Sequence, residues 1–538
     1  MDLRSKLARL DTRGRTANVG SAVQAVAQPA PPTPAAGVQV PATGDAAEPP
    51  PDKLSDLRAR LSELITRSRA KHGRKIEERR AEIEARLREA PLPFDEHDTA
   101  LGPLHVRRVH HPSSHCVGRV PIRLASEAHA APLALLALDP SLGDADPRGA
   151  LYLDTEATGL AGGTGTIPFL VGLAWFERSE GGADDLVVEQ LLLRRLGDEA
   201  PMLARVADRI AAASMLVSFN GKAFDMPLLR TRFVMNRLAP PTERPHLDLV
   251  HVARRVHRAA RGKGGVGDPR SGPTIERWTE EEELKRATSC KLVALERQIL
   301  GFARVDDVPS AEVPSRYSHF LRTGDADAIR AVCDHNLWDV VSMAALIGVY
   351  ADAVRGLDDD GTRELPHLGG RDLVGIAKTL RRAGDLPRAR RAADAAVDAA
   401  LGVAREDPRD DDRAEDRRAD PDLERIARKT RGGIAKGARD TETALHDFGV
   451  LAAAHDDKEA RLELAKLYEH RVRDPERALE HTVAGTAEPP EAAARRRTRL
   501  ERKIAAPKQS SASPAGMRPR KRKAEQQLEL PPSKLRRS

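Results

Sequence analysis

Cysteine is scarce in this chain of 538 residues: there are three, Cys116, Cys290 and Cys333, odd in number and far apart. No Cys-x-x-Cys pair occurs, which argues against both a disulfide framework and a zinc ribbon. Aromatic residues amount to 3%, too few for a broad platform on which bases stack. No apolar run reads as long enough to span a bilayer, and Met1-Asp-Leu-Arg-Ser-Lys6 has none of the apolar stretch of a secretory signal. The expectation is a cytoplasmic protein without membrane contact.

The hydrophobic fraction of 40% allows a sizeable core, and the length allows two or three domains. The net charge is +7. Its excess gathers late, in residues 495–503, in Arg518-Pro-Arg-Lys-Arg-Lys523 and in Lys534-Leu-Arg-Arg537. Such clusters attract phosphate backbones without reading sequence; a solubilising tail is the equal alternative.

Four regions follow from the pattern. Residues 1–90 hold charged helices at 3–11 and 54–90, separated by an Ala/Pro-rich linker at 23–51 that can neither continue a helix nor join a sheet. Residues 103–354 turn to strands and helices. Successive strands are expected at 150–154, 167–177 and 186–193, then a helix at 201–212 and a strand at 215–219. A helix at 224–237, a short fifth strand at 246–249 and a long amphipathic run at 325–354 complete the region. A Gly- and charge-rich insertion at 261–283 reads as a surface loop. Residues 365–505 read as helical, with helix-turn-helix units at 371–401 and 459–484 broken by Gly384-Asp-Leu-Pro387 and Arg473-Asp-Pro475. A mixed-charge stretch, 405–420, interrupts them, and no clean 34-residue period is visible. Residues 506–538 form a basic tail.

The chemistry concentrates in three places. Leu151-Tyr-Leu-Asp-Thr-Glu-Ala-Thr-Gly-Leu160 ends an apolar run in Asp154 and Glu156. Alternation along a strand puts positions i and i+2 on one face, so the two acids repel unless a cation or proton separates them. Hard divalent ions take such oxygens. A solvated strand end would look the same. The second place is Leu216-Val-Ser-Phe-Asn-Gly-Lys-Ala-Phe-Asp225, where Asp225 falls at a strand-to-helix junction, the usual ligand edge of open α/β sheets. Helix capping by Asp225 is the bland alternative. The third is His335-Asn-Leu-Trp-Asp339, whose i, i+4 spacing puts His335 and Asp339 on one helix face; a satisfied buried histidine beside a surface acid is its alternative. Gly159-Leu-Ala-Gly-Gly-Thr-Gly165 follows a strand, but no Gly-Lys-Ser/Thr and no helix follow it, which argues against a nucleotide-binding loop.

Together these pieces resemble the DEDD exonuclease branch of the ribonuclease H-like superfamily, and more closely the bacterial YprB-type ribonuclease H-like domain. The match is carried by Asp154-Thr-Glu156 with Thr158-Gly-Leu160, by Asn220 with Phe224-Asp225, and by His335-Asn-x-x-Asp339. Phe169-Leu-Val-Gly172, His246-Leu-Asp-Leu249 and Cys290-Lys-Leu-Val-Ala-Leu-Glu296 support it. The resemblance implies an α/β fold, a mixed five-stranded sheet flanked by helices, followed by an α-helical tetratricopeptide-like module. It implies a 3′-5′ exonuclease acting on single-stranded DNA or RNA by a two-metal mechanism. Asp154, Glu156, Asp225 and Asp339 would hold two Mg²⁺ or Mn²⁺ ions, and His335 would deprotonate the attacking water. Thr158, Gly159, Leu160, Asn220 and Phe224 would contact substrate, and the helical region would offer a surface to a protein partner. One departure stands out: the histidine subclass places its histidine five positions before the last aspartate, and this chain has histidine at the four-position spacing of the tyrosine subclass. A non-catalytic nucleic-acid- or protein-binding scaffold on the same fold is the rival reading.

Overall fold

The computed structural model describes residues 92–159, 164–258, 290–358, 368–402 and 419–505, with Arg67, Glu78 and Ala81 as isolated helical positions. The helices expected at 3–11 and 54–90 (save those three positions), the linker at 23–51, Leu160, the insertion at 261–283, most of the 405–420 break and the tail at 506–538 lie outside the described residues. The chain divides into two compact units, Met1–Ile76 and Glu77–Ser538, and every element below belongs to the second.

Strand β5, Ala150–Ala157, lies inside the sheet, buried through Leu153 and then opening toward solvent. It pairs antiparallel with β6, Pro168–Arg178, which pairs antiparallel with β7, Asp184–Leu192. On its other side β5 runs parallel to β8, Met215–Ser218, and β8 parallel to β9, His246–Asp248. This is the arrangement expected of the five strands. The sheet of the described residues nevertheless has seven, in the order β1-β2-β7-β6-β5-β8-β9. The two additional strands, β1 (Asp95–Thr99) and β2 (Gly102–His111), extend the edge beyond β7. β1 is exposed throughout and β2 buries few residues besides Leu104 and Val106, so neither writes a strong apolar alternation. A separate two-stranded hairpin, β3 (Cys116–Val117) with β4 (Val120–Pro121), lies outside this sheet.

Helices cover both faces, and the alternation of β5 assigns its residues to them. Leu151 and Leu153 pack with Val171, Leu173 and Leu191 against α2 (Glu199–Ala212) and α3 (Asp225–Met235). Tyr152 joins the opposite core with Ala174, Val188 and Val217, against α6, Ala326–Arg355. Between α3 and α6 in sequence lie α4 (Leu249–Arg258) and α5 (Val313–Thr323), and α1 (Ala130–Ala137) precedes β5 after a single helical turn at Arg123–Ser126. α5 closes a third cluster in which the rings of Phe169 and Tyr317 stack at 3.9 Å. The helix α6 corrects one expectation, because by length and composition it is apolar enough to cross a membrane. It is the core helix of this domain, with most of that stretch buried against the sheet.

The C-terminal helices are α7 (Gly370–Ala383), α8 (Leu386–Ala400), α9 (Pro421–Gly437), α10 (Thr441–Ala454), α11 (Lys458–Leu467), α12 (Pro475–Val483) and α13 (Pro490–Ala505). Five of them begin with an aspartate (Asp385, Asp420, Asp440, Asp457, Asp474) whose side chain accepts from the first-turn backbone N–H groups. The array is fused to the sheet domain. Gly375 of α7 lies so close to the Val256 carbonyl of α4 that a Cβ there would collide with backbone. His257 links the two regions, with Nδ1 at 2.8 Å from Asp372 Oδ1 and Nε2 at 2.8 Å from the Tyr350 hydroxyl.

The basic cluster 495–503 lies within the helical array. It is α13, and part of its charge is internal: Arg496 (2.9 Å), Arg499 (2.7 Å) and Lys503 (2.8 Å) reach the fully buried Glu469. Burial opposes ionisation of Glu469, but the bonds from Arg499 and Lys503 outweigh it and bring its pKa to about 2. Truncation before Arg495 removes these ion pairs together with the buried Leu500 and should lower stability by about 1.5–3 kcal/mol, the usual value of a buried leucine. Truncation after Ala505 keeps all three of these contacts and should lower the melting temperature less. Thermal denaturation of both shortened proteins checks this, and equal melting temperatures would place α13 outside the folded array.

Candidate active site

The alternation that sends Leu151 and Leu153 to one core sends Asp154 and Glu156 toward α6. Their strand ends there in a register shift between Glu156 and Ala157, a bulge that re-aims side chains at a sheet edge. Opposite Asp154 in the ladder stands Gly172. Any side chain there would strike the amide of Asn336, so the glycine is what lets α6 approach the strand. Asn336 is fully buried and donates through Nδ2 to Asp154 Oδ2 at 2.8 Å. Its Oδ1 accepts from Gln190 Nε2 at 3.0 Å, and the same nitrogen donates to the Cys333 carbonyl at 2.6 Å. The Asp154 carboxylate is thus fixed by a chain of amides.

Asp225 begins α3. Its carboxylate accepts from the Thr155 hydroxyl. The turn before it depends on the β9 stretch, because Asp248 accepts from Asn220 N at 2.7 Å and Lys222 N at 3.1 Å. Asn220 takes a left-handed φ of 73°, which asparagine tolerates. From α6, His335 and Asp339 project toward the same point. His335 Nε2 is 3.7 Å from Glu156 Oε1 and 3.6 Å from Asp339 Oδ2, and the three side chains could share one metal ion. Of the five residues named from the sequence, Glu156, His335 and Asp339 gather at one point, while Asp154 and Asp225 line the adjoining cleft with Glu156 and act electrostatically on the cluster.

Three residues at the site carry roles that sequence reasoning missed. Asp307 Oδ1 is 2.6 Å from His335 Nδ1 and turns the other ring nitrogen toward the acids. Arg304, 1% exposed, holds the fully buried Glu296 with both ends of its fork at 2.6 and 2.7 Å, and donates from Nη2 to Asp339 Oδ1. Its Nη1 lies 3.2 Å from His335 Nδ1 and 3.7 Å from Asp307 Oδ1.

Electrostatics favour a cation here. Burial raises the Asp154 carboxyl well above the usual range, and Asp339, Asp225 and Glu156 raise it further; Asn336 only partly opposes them. Burial, then Asp339 and Asp225, act likewise on Glu156 against the pull of Arg304. Asp225 is pushed up to about 6, chiefly by burial, with the Thr155 hydroxyl opposing. Clustered carboxylates with raised pKa values and oxygen donors are the chemistry that suits Mg²⁺ or Mn²⁺.

The sign of the resulting pH dependence is definite. Each folded-state value lies above its unfolded reference, so the folded protein holds the extra protons from about pH 4 upward, and metal-free stability falls as pH rises through the folded values. In EDTA at pH 7.5, Asp225→Asn should be more stable than wild type by on the order of 3 kcal/mol, a rise of about two units at about 1.4 kcal/mol per unit. That gap should close as pH falls from 6 to 4. A gap independent of pH would show that Asp225 is not ionised against its neighbours.

A cleft of about 230 Å³ opens beside the acids, lined among others by Gly159, Asn220, Phe224, Ser310 and Pro314. Phe224 is 57% exposed at this cleft. Of the residues expected to contact substrate, Gly159, Asn220 and Phe224 line it. Thr158 does not: its backbone N–H donates to the Ile167 carbonyl and its hydroxyl accepts from Ile167 N, both at 3.0 Å, closing the loop to β6.

Residues 151–350 match the family model described as RNase_H superfamily. It is similar to the uncharacterized protein YprB of Bacillus subtilis (strain 168), with 31% identity over 197 residues, 36% of this chain. That match spans 40% of the length of the relative, well under two thirds of it.

Proposed function

We propose that this domain is a divalent-metal-dependent nuclease, and specifically a 3′-5′ exonuclease acting on single-stranded DNA or RNA. The observation that carries the reading is that Glu156, His335 and Asp339 gather at one point, with His335 Nε2 within 3.7 Å of both acids, while Asp154 and Asp225 line the adjoining cleft. These four acids would hold two Mg²⁺ or Mn²⁺ ions. Such ions stabilise the attacking and leaving oxygens of an in-line phosphoryl displacement. Asn336 and Thr155 keep the Asp154 and Asp225 carboxylates in place. His335 takes the water proton at Nε2, with Asp307 orienting the ring through Nδ1. The exposed ring of Phe224 offers a stacking surface to a terminal base.

A non-catalytic scaffold is the second reading, and one observation favours it: Arg304 already neutralises Asp339. Incubating 5′-labelled single-stranded DNA and RNA with protein in Mn²⁺, Mg²⁺ or EDTA separates the two. The nuclease reading expects stepwise shortening that EDTA stops. Intact substrate in every metal, with retained binding, would establish the scaffold.

The residues beyond Ala505 bear on binding rather than chemistry. Deleting 506–538 should weaken nucleic-acid affinity and flatten its salt dependence by about one unit of slope for each phosphate no longer engaged. Turnover at saturating substrate should survive. An unchanged slope would assign these residues to solubility or to a protein partner.

A further inference from the structure

Behind Asp339 stands a guanidinium that the proposed hydrolysis does not itself use. Arg304 is locked from one side: Glu296 meets its fork at Nε and Nη2, and the Trp338 ring lies 5.7 Å from its Cζ. Glu296 is in turn placed by a π-helical turn, Glu296–Leu300, a distortion that recurs at functional sites. That turn is pinned from outside by the β3–β4 hairpin. Arg119 N donates to the Leu300 carbonyl at 2.8 Å and its Nη2 to the Ile299 carbonyl at 3.2 Å. Gly118 lies so close to Leu300 that a Cβ would collide with its carbonyl.

We infer that Arg304, held by Glu296, is a positioning residue that occupies Oδ1 of Asp339 and presents Oδ2 alone to the metal-binding cluster. The terminal torsion of an aspartate is soft and roughly two-fold. Left free, Asp339 could offer either oxygen, and the three other clustered acids would push it outward. With Oδ1 engaged by Arg304, Oδ2 remains 3.6 Å from His335 Nε2. The planar fork serves this role because it bonds two carboxylates in one rigid geometry, which a lysine ammonium on a flexible stem does not. The inference rests on the metal-dependent reading of the site and adds to it the residue that sets the last ligand.

Arg304→Lys separates charge from geometry. Melting temperature is followed against Mn²⁺ concentration, and single-turnover cleavage is measured at saturating Mn²⁺. If geometry matters, the Mn²⁺ midpoint rises by about 10–100-fold, the usual effect of losing a residue that orients a ligand. If lysine restores the wild-type midpoint and rate, Arg304 acts only as a counter-charge and the inference is overturned. Glu296→Gln reads the same lock from its other end while keeping the packing volume: a raised midpoint is expected, and a wild-type midpoint overturns the inference. Failure of the underlying reading is distinguishable. Wild-type protein whose melting temperature ignores Mn²⁺ removes the metal site altogether, whereas a responsive wild type whose midpoint both variants share removes Arg304 and Glu296 alone.

Discussion

Asp154→Asn is expected to lower phosphodiester hydrolysis by roughly 10³-fold or more while leaving the fold intact. The magnitude follows from metal stabilisation of transition-state charge, worth several kcal/mol, at about 1.4 kcal/mol per tenfold in rate. The fold should survive because an amide keeps the size of the carboxylate, and its oxygen can still accept from Asn336 Nδ2, which now bonds Asp154 Oδ2 at 2.8 Å. Metal-free stability should be unchanged or raised, since the half-buried Asp154 is repelled by Asp339, Asp225 and Glu156. Adding Mn²⁺ should raise the melting temperature of wild type and do so much less for the variant. The check is single-turnover cleavage in Mg²⁺ beside melting temperature with and without metal. Wild-type cleavage by the purified variant would remove Asp154 from the metal cluster.

The parts of this site that were legible in the sequence are those carried by regular elements. Asp154 and Glu156 could be placed because strand alternation fixes which side chains share a face, and β5 runs as that alternation requires. His335 and Asp339 could be placed because one uninterrupted helix, Ala326–Arg355, carries both. Arg304 and Asp307 could not. They lie on an irregular stretch between the π turn and α5, where no periodicity tells which way a side chain points. Glu296 sat in a stretch that marked the family, yet its partner is eight residues on, across a turn with no sequence signature. The edge strands β1 and β2 were illegible because an exposed edge need not alternate. That part of the charge of α13 is spent inside the array was not legible, because composition cannot distinguish a solvated arginine from one bonded to a buried glutamate earlier in the array. Glu469, fully buried, is the residue that decides it.

Replacing His335 with alanine should lower the rate by roughly 10²–10⁴-fold, the usual contribution of a general base. The four-residue spacing from Asp339 belongs to the tyrosine subclass of the resembled family, yet the structure turns the imidazole to the acids. Nε2 stands 3.7 Å from Glu156 and 3.6 Å from Asp339, while Asp307 holds Nδ1 at 2.6 Å. An orienting carboxylate behind a working imidazole is typically worth about 10–100-fold, so Asp307→Asn should fall between wild type and His335→Ala. His335→Tyr should recover part of what alanine loses, because the position suits a phenol. A purely structural histidine would behave otherwise. It is 8% exposed and borders Arg304 as well as Asp307, so its loss would then lower the melting temperature and leave turnover of the folded fraction near normal. Measuring melting temperature and single-turnover rate for all three variants decides between the two. A normal rate in folded His335→Ala would remove the imidazole from the proton transfer and leave the carboxylates as the only protein groups acting on the water.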